Sequence, residues 1–225
     1  MSEKQFIITD DGSHTLFVPE LNETYHSTHG AIQESRYVFI DQGLRFLLNK
    51  NKNGEIRVFE VGFGTGLNAF LSALFAEKYT LSIRYESIEA FPLNLAEIQQ
   101  LNYAKLAGEK RSSEIFHKIH EASWGRTKAI SRYFQLKKIQ SLLQEYEYID
   151  SFDVCFFDAF APSKQPEMWE YTILKKIYSS LVFNGIFVTY CAKGQVKRDL
   201  KDIGFEVEML PGPPGKMEMI RGIKT

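Results

Sequence analysis

The chain predicts an α/β fold built on a doubly wound, mostly parallel sheet, and three observations carry that prediction. Apolar runs of strand length alternate with helical periodicity from residue 56 onward. The run Ile56-Arg57-Val58-Phe59-Glu60-Val61 leads straight into Gly62-Phe63-Gly64-Thr65-Gly66, a strand ending in a sharp turn that leaves room for a ligand against the backbone. Near the end, two strand-like runs have only Pro211-Gly212-Pro213-Pro214-Gly215 between them, so they pair as an antiparallel hairpin at the sheet edge. A length of 225 residues with 44% hydrophobic composition fits one domain, with residues 1–50 as an N-terminal extension and 51–225 as the core.

Taken in order, Gln5 to Pro19 reads as a hairpin, because Phe6-Ile7-Ile8 and Leu16-Phe17-Val18 flank Asp10-Asp11-Gly12-Ser13. Ser35 to Leu48 carries apolar residues at 37, 38, 40, 44, 47 and 48, a helical spacing. The core then follows as strand 56 to 61, helix 67 to 78, strand 82 to 88 and helix 93 to 106. After a basic segment come strand 129 to 135, helix 138 to 146, strand 153 to 158, helix 167 to 181, strand 185 to 191 and helix 195 to 203. Strands 205 to 210 and 217 to 222 close the chain. In such a sheet, ligands bind at the carboxyl ends of the strands.

Composition excludes several classes. Cys155 and Cys191 each lie in an apolar run and read as buried thiols of a reducing compartment. His26/His29 and His117/His120 are the close histidine pairs, with no Cys-x-x-Cys nearby, so no metal is expected. Met1 to Asp10 lacks a basic stretch and an apolar core, and no apolar run approaches a membrane span, which points to a soluble cytoplasmic protein. Net charge is −1, yet Lys105 to Lys138 holds nine basic residues against three acidic ones, a face that a polyanion could use.

The glycine spacing narrows the ligand. A dinucleotide fingerprint needs a glycine at position 67, where this chain has Leu67, while an acid, Glu60, stands two residues before the first glycine. The pattern resembles the first motif of class I S-adenosylmethionine-dependent methyltransferases, whose glycines face the methionine and ribose part of the cofactor. At the end of the second core strand a carboxylate would suit the ribose diol, being acceptor-only; Glu89 and Glu86 both stand there. The fourth core strand ends at Asp158, followed by Ala159-Phe160-Ala161-Pro162 and Pro166-Glu167-Met168-Trp169. A carboxylate there can hold an amine and stabilise its developing charge, which makes Asp158 the catalytic candidate. Pro162 and Trp169 either cap the next helix or form a lip over the acceptor.

Taken together, Tyr25-His26-Ser27, Gly30, Glu34 to Phe39, Gly62 to Asn68, Glu89-Ala90-Phe91-Pro92-Leu93, Asp158 to Pro162 with Pro166-Glu167-Met168-Trp169, and Gly215 to Met219 resemble the methyltransferase domain of the bifunctional tRNA 5-methylaminomethyl-2-thiouridine biosynthesis proteins. The resemblance runs in order over nearly the whole chain. It implies a Rossmann-like sheet of seven strands with one antiparallel, S-adenosylmethionine as cofactor, and methyl transfer to the aminomethyl nitrogen of the tRNA wobble uridine. It selects Glu89 over Glu86. It implies a cofactor site of Tyr25, Ser27, Glu34, Ser35, Glu60, Gly62, Phe63, Gly64, Thr65, Gly66, Asn68, Glu89, Ala90, Asp158 and Phe160, with Tyr25 and Phe160 walling the sulfonium.

For tRNA contact the candidates are the basic segment together with Lys193, Lys197, Arg198 and Lys216, and Trp124 for stacking on a base. Two departures stand out. The bifunctional relatives carry an oxidase domain that generates the amine, and this sequence has none before Thr225, so the aminomethyl substrate is expected from another enzyme. Relatives also place an acid after the third core strand for the adenine amino group; the matching region here, Phe134 to Ile139, has none, which leaves Gln135 or backbone groups. An aminopropyltransferase using the same sheet, and a tRNA-binding module without catalysis, are the competing readings.

Overall fold

The computed structural model describes residues 3–50, 54–147 and 151–225. Strands β1 (Gln5–Ile8) and β2 (His14–Val18) form the expected antiparallel hairpin, and β3 (Glu23–Thr24) adds to it as a third strand. The turn closes on Asp11, whose carboxylate accepts from Ser13 N at 2.9 Å and Thr9 Oγ1 at 2.7 Å. It also accepts from Gln33 N at 3.0 Å, which fastens the hairpin to the next helix. That helix begins as α1 (Ala31–Ser35), continues π-helical over Arg36–Arg45 and ends as α2 (Phe46–Asn49). It starts earlier than the periodicity indicates, and its long π segment is an uncommon form.

The core follows as β4 (Ile56–Val61), α3 (Leu67–Tyr79), β5 (Ile83–Glu89), α4 (Leu95–Gln99), α5 (Tyr103–Ala107) and α6 (Ser112–Glu121). Next come β6 (Thr127–Ala129), β7 (Phe134–Gln140), β8 (Phe152–Phe157), a 3-10 turn at Pro166–Trp169 and α7 (Tyr171–Ser180). The chain ends with β9 (Leu181–Thr189), α8 (Gly194–Ile203), β10 (Phe205–Pro211) and β11 (Glu218–Lys224). The sheet order is β10-β11-β9-β8-β4-β5-β7-β6. Strands β7, β5, β4, β8 and β9 are parallel, and β11 lies antiparallel between β9 and β10.

Several expectations change: the helix expected over 93 to 106 is broken into α4 and α5, and the strand expected over 129 to 135 lies instead at Phe134–Gln140. The helix expected over 138 to 146 does not form: β7 runs on through Gln140, and Ser141–Glu147 is turn and irregular chain. Along β7, Phe134, Leu136 and Lys138 are buried in alternation, a period of two that the adjacent charges of Lys137 and Lys138 obscure. The basic segment contains α6, and β6 adds an eighth, antiparallel edge strand to the seven expected.

Both faces of the sheet are covered, as parallel strands require. On one face Val58, Tyr85, Leu136, Val154 and Phe156 pack with α3 and the π-helical segment. On the other, Phe59, Val61, Phe157 and Phe187 pack with α7 and α8. The strand order reverses between β4 and β8, so a crevice opens past their carboxyl ends, where Gly62 and Asp158 follow.

Candidate active site

The glycine turn is crowded on every side. Gly62, Gly64 and Gly66 have φ of +90°, +48° and +71°, where side chains are disfavoured. A Cβ at Gly62 would lie 2.6 Å from the backbone oxygen of Asp158, one at Gly64 3.0 Å from Tyr25 Cδ1, and one at Gly66 2.8 Å from His120 Cε1. Only glycine lets the β8 loop, the N-terminal loop and α6 all close on this turn. Thr65 is buried, and its Oγ1 lies 2.8 Å from His26 Nε2. Burial pulls His26 down to about 4, so the imidazole is neutral and pins the Tyr25–Ser27 loop to the glycine turn. The sequence shows His26 within the Tyr25-His26-Ser27 motif, but nothing local assigns it this role, since Thr65 is 39 positions away.

Glu89, at the end of β5, accepts from Gly64 N at 3.0 Å and from Phe91 N at 2.9 Å. It is half-buried beside the glycine turn, while Ala90 next to it is also half-buried. Glu86 points elsewhere: it is buried within β5 and ion-paired to Lys137 at 3.3 Å, so the carboxylate placed at the turn is Glu89.

Asp158 follows β8, with its backbone N donating to Val61 O at 2.9 Å. Asn68 Nδ2, in the first turn of α3, donates to Asp158 Oδ2 at 2.8 Å. Burial and then the nearby Glu34 push Asp158 up to about 7, against the opposing effects of Asn68 and Lys216. Glu60 lies deeper, fully enclosed, with Ser87 Oγ donating to its Oε2 at 2.6 Å. Its Oε1 and Asn68 Oδ1 have no donor, and burial pushes Glu60 up to about 8. Glu60 therefore carries its proton near neutral pH, and its place is behind the turn rather than on the crevice wall.

Across from Asp158, Glu34 is buried, accepts from Ser27 N at 2.7 Å and pairs with Lys216 Nζ. Lys216, a candidate for phosphate contact, lies 4.3 Å over the Tyr190 ring and ties the β10–β11 turn to the N-terminal loop. Ser35 Oγ is buried without a partner. The rings of Tyr25 and Phe160 meet edge to face with centroids 5.2 Å apart, which brings together the two aromatic residues expected around the sulfonium. The set Tyr25, Glu34, Gly62–Gly66, Asn68, Glu89, Asp158 and Phe160 thus converges on one crevice.

A cavity of about 160 Å3 adjoins Gly64, lined by Phe63, Leu93, Leu95, Ile98, His120, Trp124 and Lys138. Phe63 and Trp124 meet edge to face at 5.7 Å. Trp124 is thus a wall of this cavity. Gln135 is exposed in the first half of β7, paired in register with Arg84 and remote from the strand end, so it does not reach the cavity.

Outside the crevice, Trp169 is 5% exposed, packs on Phe157 at 4.8 Å and donates to Phe160 O at 2.8 Å. It buttresses the loop after Asp158 and leaves little surface for an acceptor; Pro162 is half-buried in that loop. Lys193 and Arg198 are exposed at the start of α8, and Lys197 is half-buried. In the basic segment Arg111 and Lys118 pair with Glu114, and Lys138 is buried, whereas Lys105, Lys110, Arg126, Lys128 and Arg132 are exposed. Among the described residues no cluster of three His, Cys, Asp or Glu side chains is placed to hold a metal ion, and no helix is long and apolar enough to cross a membrane.

The residues around the turn fit S-adenosylmethionine: a glycine-only cradle, a carboxylate for a diol and half-buried aromatic walls. A family model described as S-adenosyl-L-methionine-dependent methyltransferase matches residues 113–225. The tRNA 5-methylaminomethyl-2-thiouridine biosynthesis bifunctional proteins MnmC of Pseudomonas syringae and Idiomarina loihiensis are 30% and 32% identical to the chain, over 90% and 89% of its residues. They are longer proteins, and the chain spans only 32% and 35% of their length. The crystal structure of MNMC2 from Aquifex aeolicus is similar over 99% of this chain and 70% of its own, with 27% identity and a TM-score of 0.78. Because the family model spans the half of the chain that contains Asp158 and the terminal strands, and these relatives carry the likeness back across the glycine turn, the chain belongs to the S-adenosyl-L-methionine-dependent methyltransferases.

Proposed function

We propose that this chain methylates an amine, the 5-aminomethyl group of wobble (2-thio)uridine in tRNA, giving the 5-methylaminomethyl group. The observation that carries the reading is the Asp158 carboxyl, held by Asn68 at 2.8 Å beside the glycine turn and poised to about 7. S-adenosylmethionine supplies, when bound, a methyl carbon activated by a positive sulfur. An alkyl amine is largely protonated in neutral water and must be neutral to attack, so the protein's work is to take the proton and align the lone pair. Ionised Asp158 takes that proton from the incoming ammonium, or stays charged to steady the methylated ammonium and then takes the proton it releases as the secondary amine forms. Tyr25 and Phe160 exclude water and offer ring faces to a cation.

The names of the relatives support this choice of substrate, since they describe tRNA 5-methylaminomethyl-2-thiouridine biosynthesis. The exposed cations Lys193, Arg198, Lys105, Lys110, Arg126, Lys128 and Arg132 are the candidates for phosphate contact. Incubation with S-adenosylmethionine and tRNA bearing the unmethylated aminomethyl nucleoside, followed by nucleoside mass spectrometry, tests the reading. Gain of one methylene on that nucleoside is expected. Unchanged nucleoside, with the protein binding S-adenosylhomocysteine normally, overturns the substrate while leaving the cofactor site standing.

A further inference from the structure

Lys138 is a buried cation that the chemistry above does not use. Its side chain is 2% exposed, with Nζ 4.9 Å from the Trp124 ring centroid and 5.3 Å from that of Phe63. It donates to the backbone oxygen of His120 at 3.0 Å, and among the described residues no carboxylate is paired with it. Burial lowers Lys138 to about 8. An ammonium has three donors, and a single carbonyl leaves two of them unmatched in a place where water is scarce.

The cavity that Lys138 lines is suited to a flat heterocycle, with Phe63 and Trp124 as aromatic walls and Leu93, Leu95 and Ile98 as apolar ones. It adjoins Gly64, whose N–H is bonded to the carboxylate assigned to the ribose, so the base of the cofactor would enter here. The lining contains no carboxylate. Both ring nitrogens of His120 are enclosed, and burial beside Lys138 draws that imidazole down to about 3. What the cavity offers a base edge is therefore a donor.

We propose that Lys138 holds the purine of the cofactor through an acceptor atom of the base, so that the pocket does not select for the 6-amino group. The inference rests on the cofactor site described above and deepens it. Adenine offers N1, N3 and N7 as acceptors, with the 6-amino group a donor. A 6-oxo purine keeps N3 and N7 and turns the 6-substituent into a further acceptor. A pocket that reads the amino group with a carboxylate would reject the 6-oxo base, because two acceptors would face each other; an ammonium does not.

Calorimetry with S-adenosylhomocysteine and S-inosylhomocysteine tests this on the parent and on Lys138→Met and Lys138→Gln. The parent is expected to bind both ligands within about threefold, and Lys138→Met to weaken both by about tenfold or more, since it keeps the stem and loses the donor. Lys138→Gln, which still donates, should recover part of the loss. A parent that prefers the adenine ligand by about thirtyfold or more overturns the proposal, as does Lys138→Met binding S-adenosylhomocysteine like the parent. The parent's own ratio needs no variant, so a variant that fails to fold does not decide the matter. Binding of neither ligand by the parent would overturn the cofactor site itself, and this proposal with it.

Discussion

Asn68 Nδ2 donates to Asp158 Oδ2 at 2.8 Å, a single hydrogen bond that joins the helix after the glycine turn to the acid at the end of β8. This bond lowers the pKa of Asp158 against the burial that raises it. Asn68→Ala should therefore move Asp158 above about 7, shifting the acidic limb of the pH–rate profile toward higher pH. A limb that stays in place would separate Asn68 from the proton transfer.

Asp158→Ala should cut turnover by about a hundredfold or more, the usual scale for loss of a proton-transfer group, while changing the dissociation constant of S-adenosylhomocysteine far less. Single-turnover rates and calorimetry on the same preparation give the two numbers. Equal rates in variant and parent would remove Asp158 from the mechanism.

Gly62→Ala combines a positive φ with a Cβ only 2.6 Å from a backbone oxygen, which no side-chain rotation can relieve. A loss of about 1–3 kcal/mol of stability is expected, together with loss of cofactor binding, as the turn and the β8 loop move apart. Urea unfolding alongside calorimetry would register both.

Glu60 sets a pH dependence of stability. Its folded pKa is raised to about 8 from 4.5, so the folded state binds this proton more tightly than the unfolded chain. The contribution is complete below the unfolded value and is lost as pH rises through about 8; Asp158, raised to about 7, acts in the same sense. Glu60→Gln, a neutral stand-in, should fold well and flatten the fall in stability between the unfolded value of 4.5 and about 8 by up to about 1.4 kcal/mol per pH unit. Unfolding curves at a series of pH values measure the slope, and a variant as pH-sensitive as the parent would mean that Glu60 is ionised in the fold.

His26→Leu leaves the buried Thr65 hydroxyl without its 2.8 Å partner, at a cost of about 1–3 kcal/mol. Because the same contact holds Tyr25 near the glycine turn, weaker binding of S-adenosylhomocysteine should accompany it. Tyrosine fluorescence on titration would follow the loop directly.

What could be read without coordinates was whatever is local. A strand running into alternate glycines shows itself within thirteen residues, and so does an acid at a strand end, which is why Gly62, Glu89 and Asp158 stand where they were expected. Lys138 misled because a charge normally marks an outer face, and here it ends an alternating buried series and broke the strand pattern. The Lys216–Glu34 pair is illegible for a different reason: the partners are 182 positions apart, and no spacing rule reports such a pair. The cavity by Gly64 was equally hidden, since Phe63, Leu93, His120 and Lys138 come from four separate stretches of chain.

The place of β11 in the sheet couples two distant parts of the molecule. Among the sheet pairings, β10 touches only β11, and β11 fills the gap between β9 and β10, so β10 is held to the sheet through β11 alone. The turn between these two strands also brings the Lys216 ammonium to Glu34. Prising β11 from the sheet would therefore free β10 and loosen the Lys216–Glu34 clasp in one step, so the sheet edge and the N-terminal loop over the glycine turn come apart together.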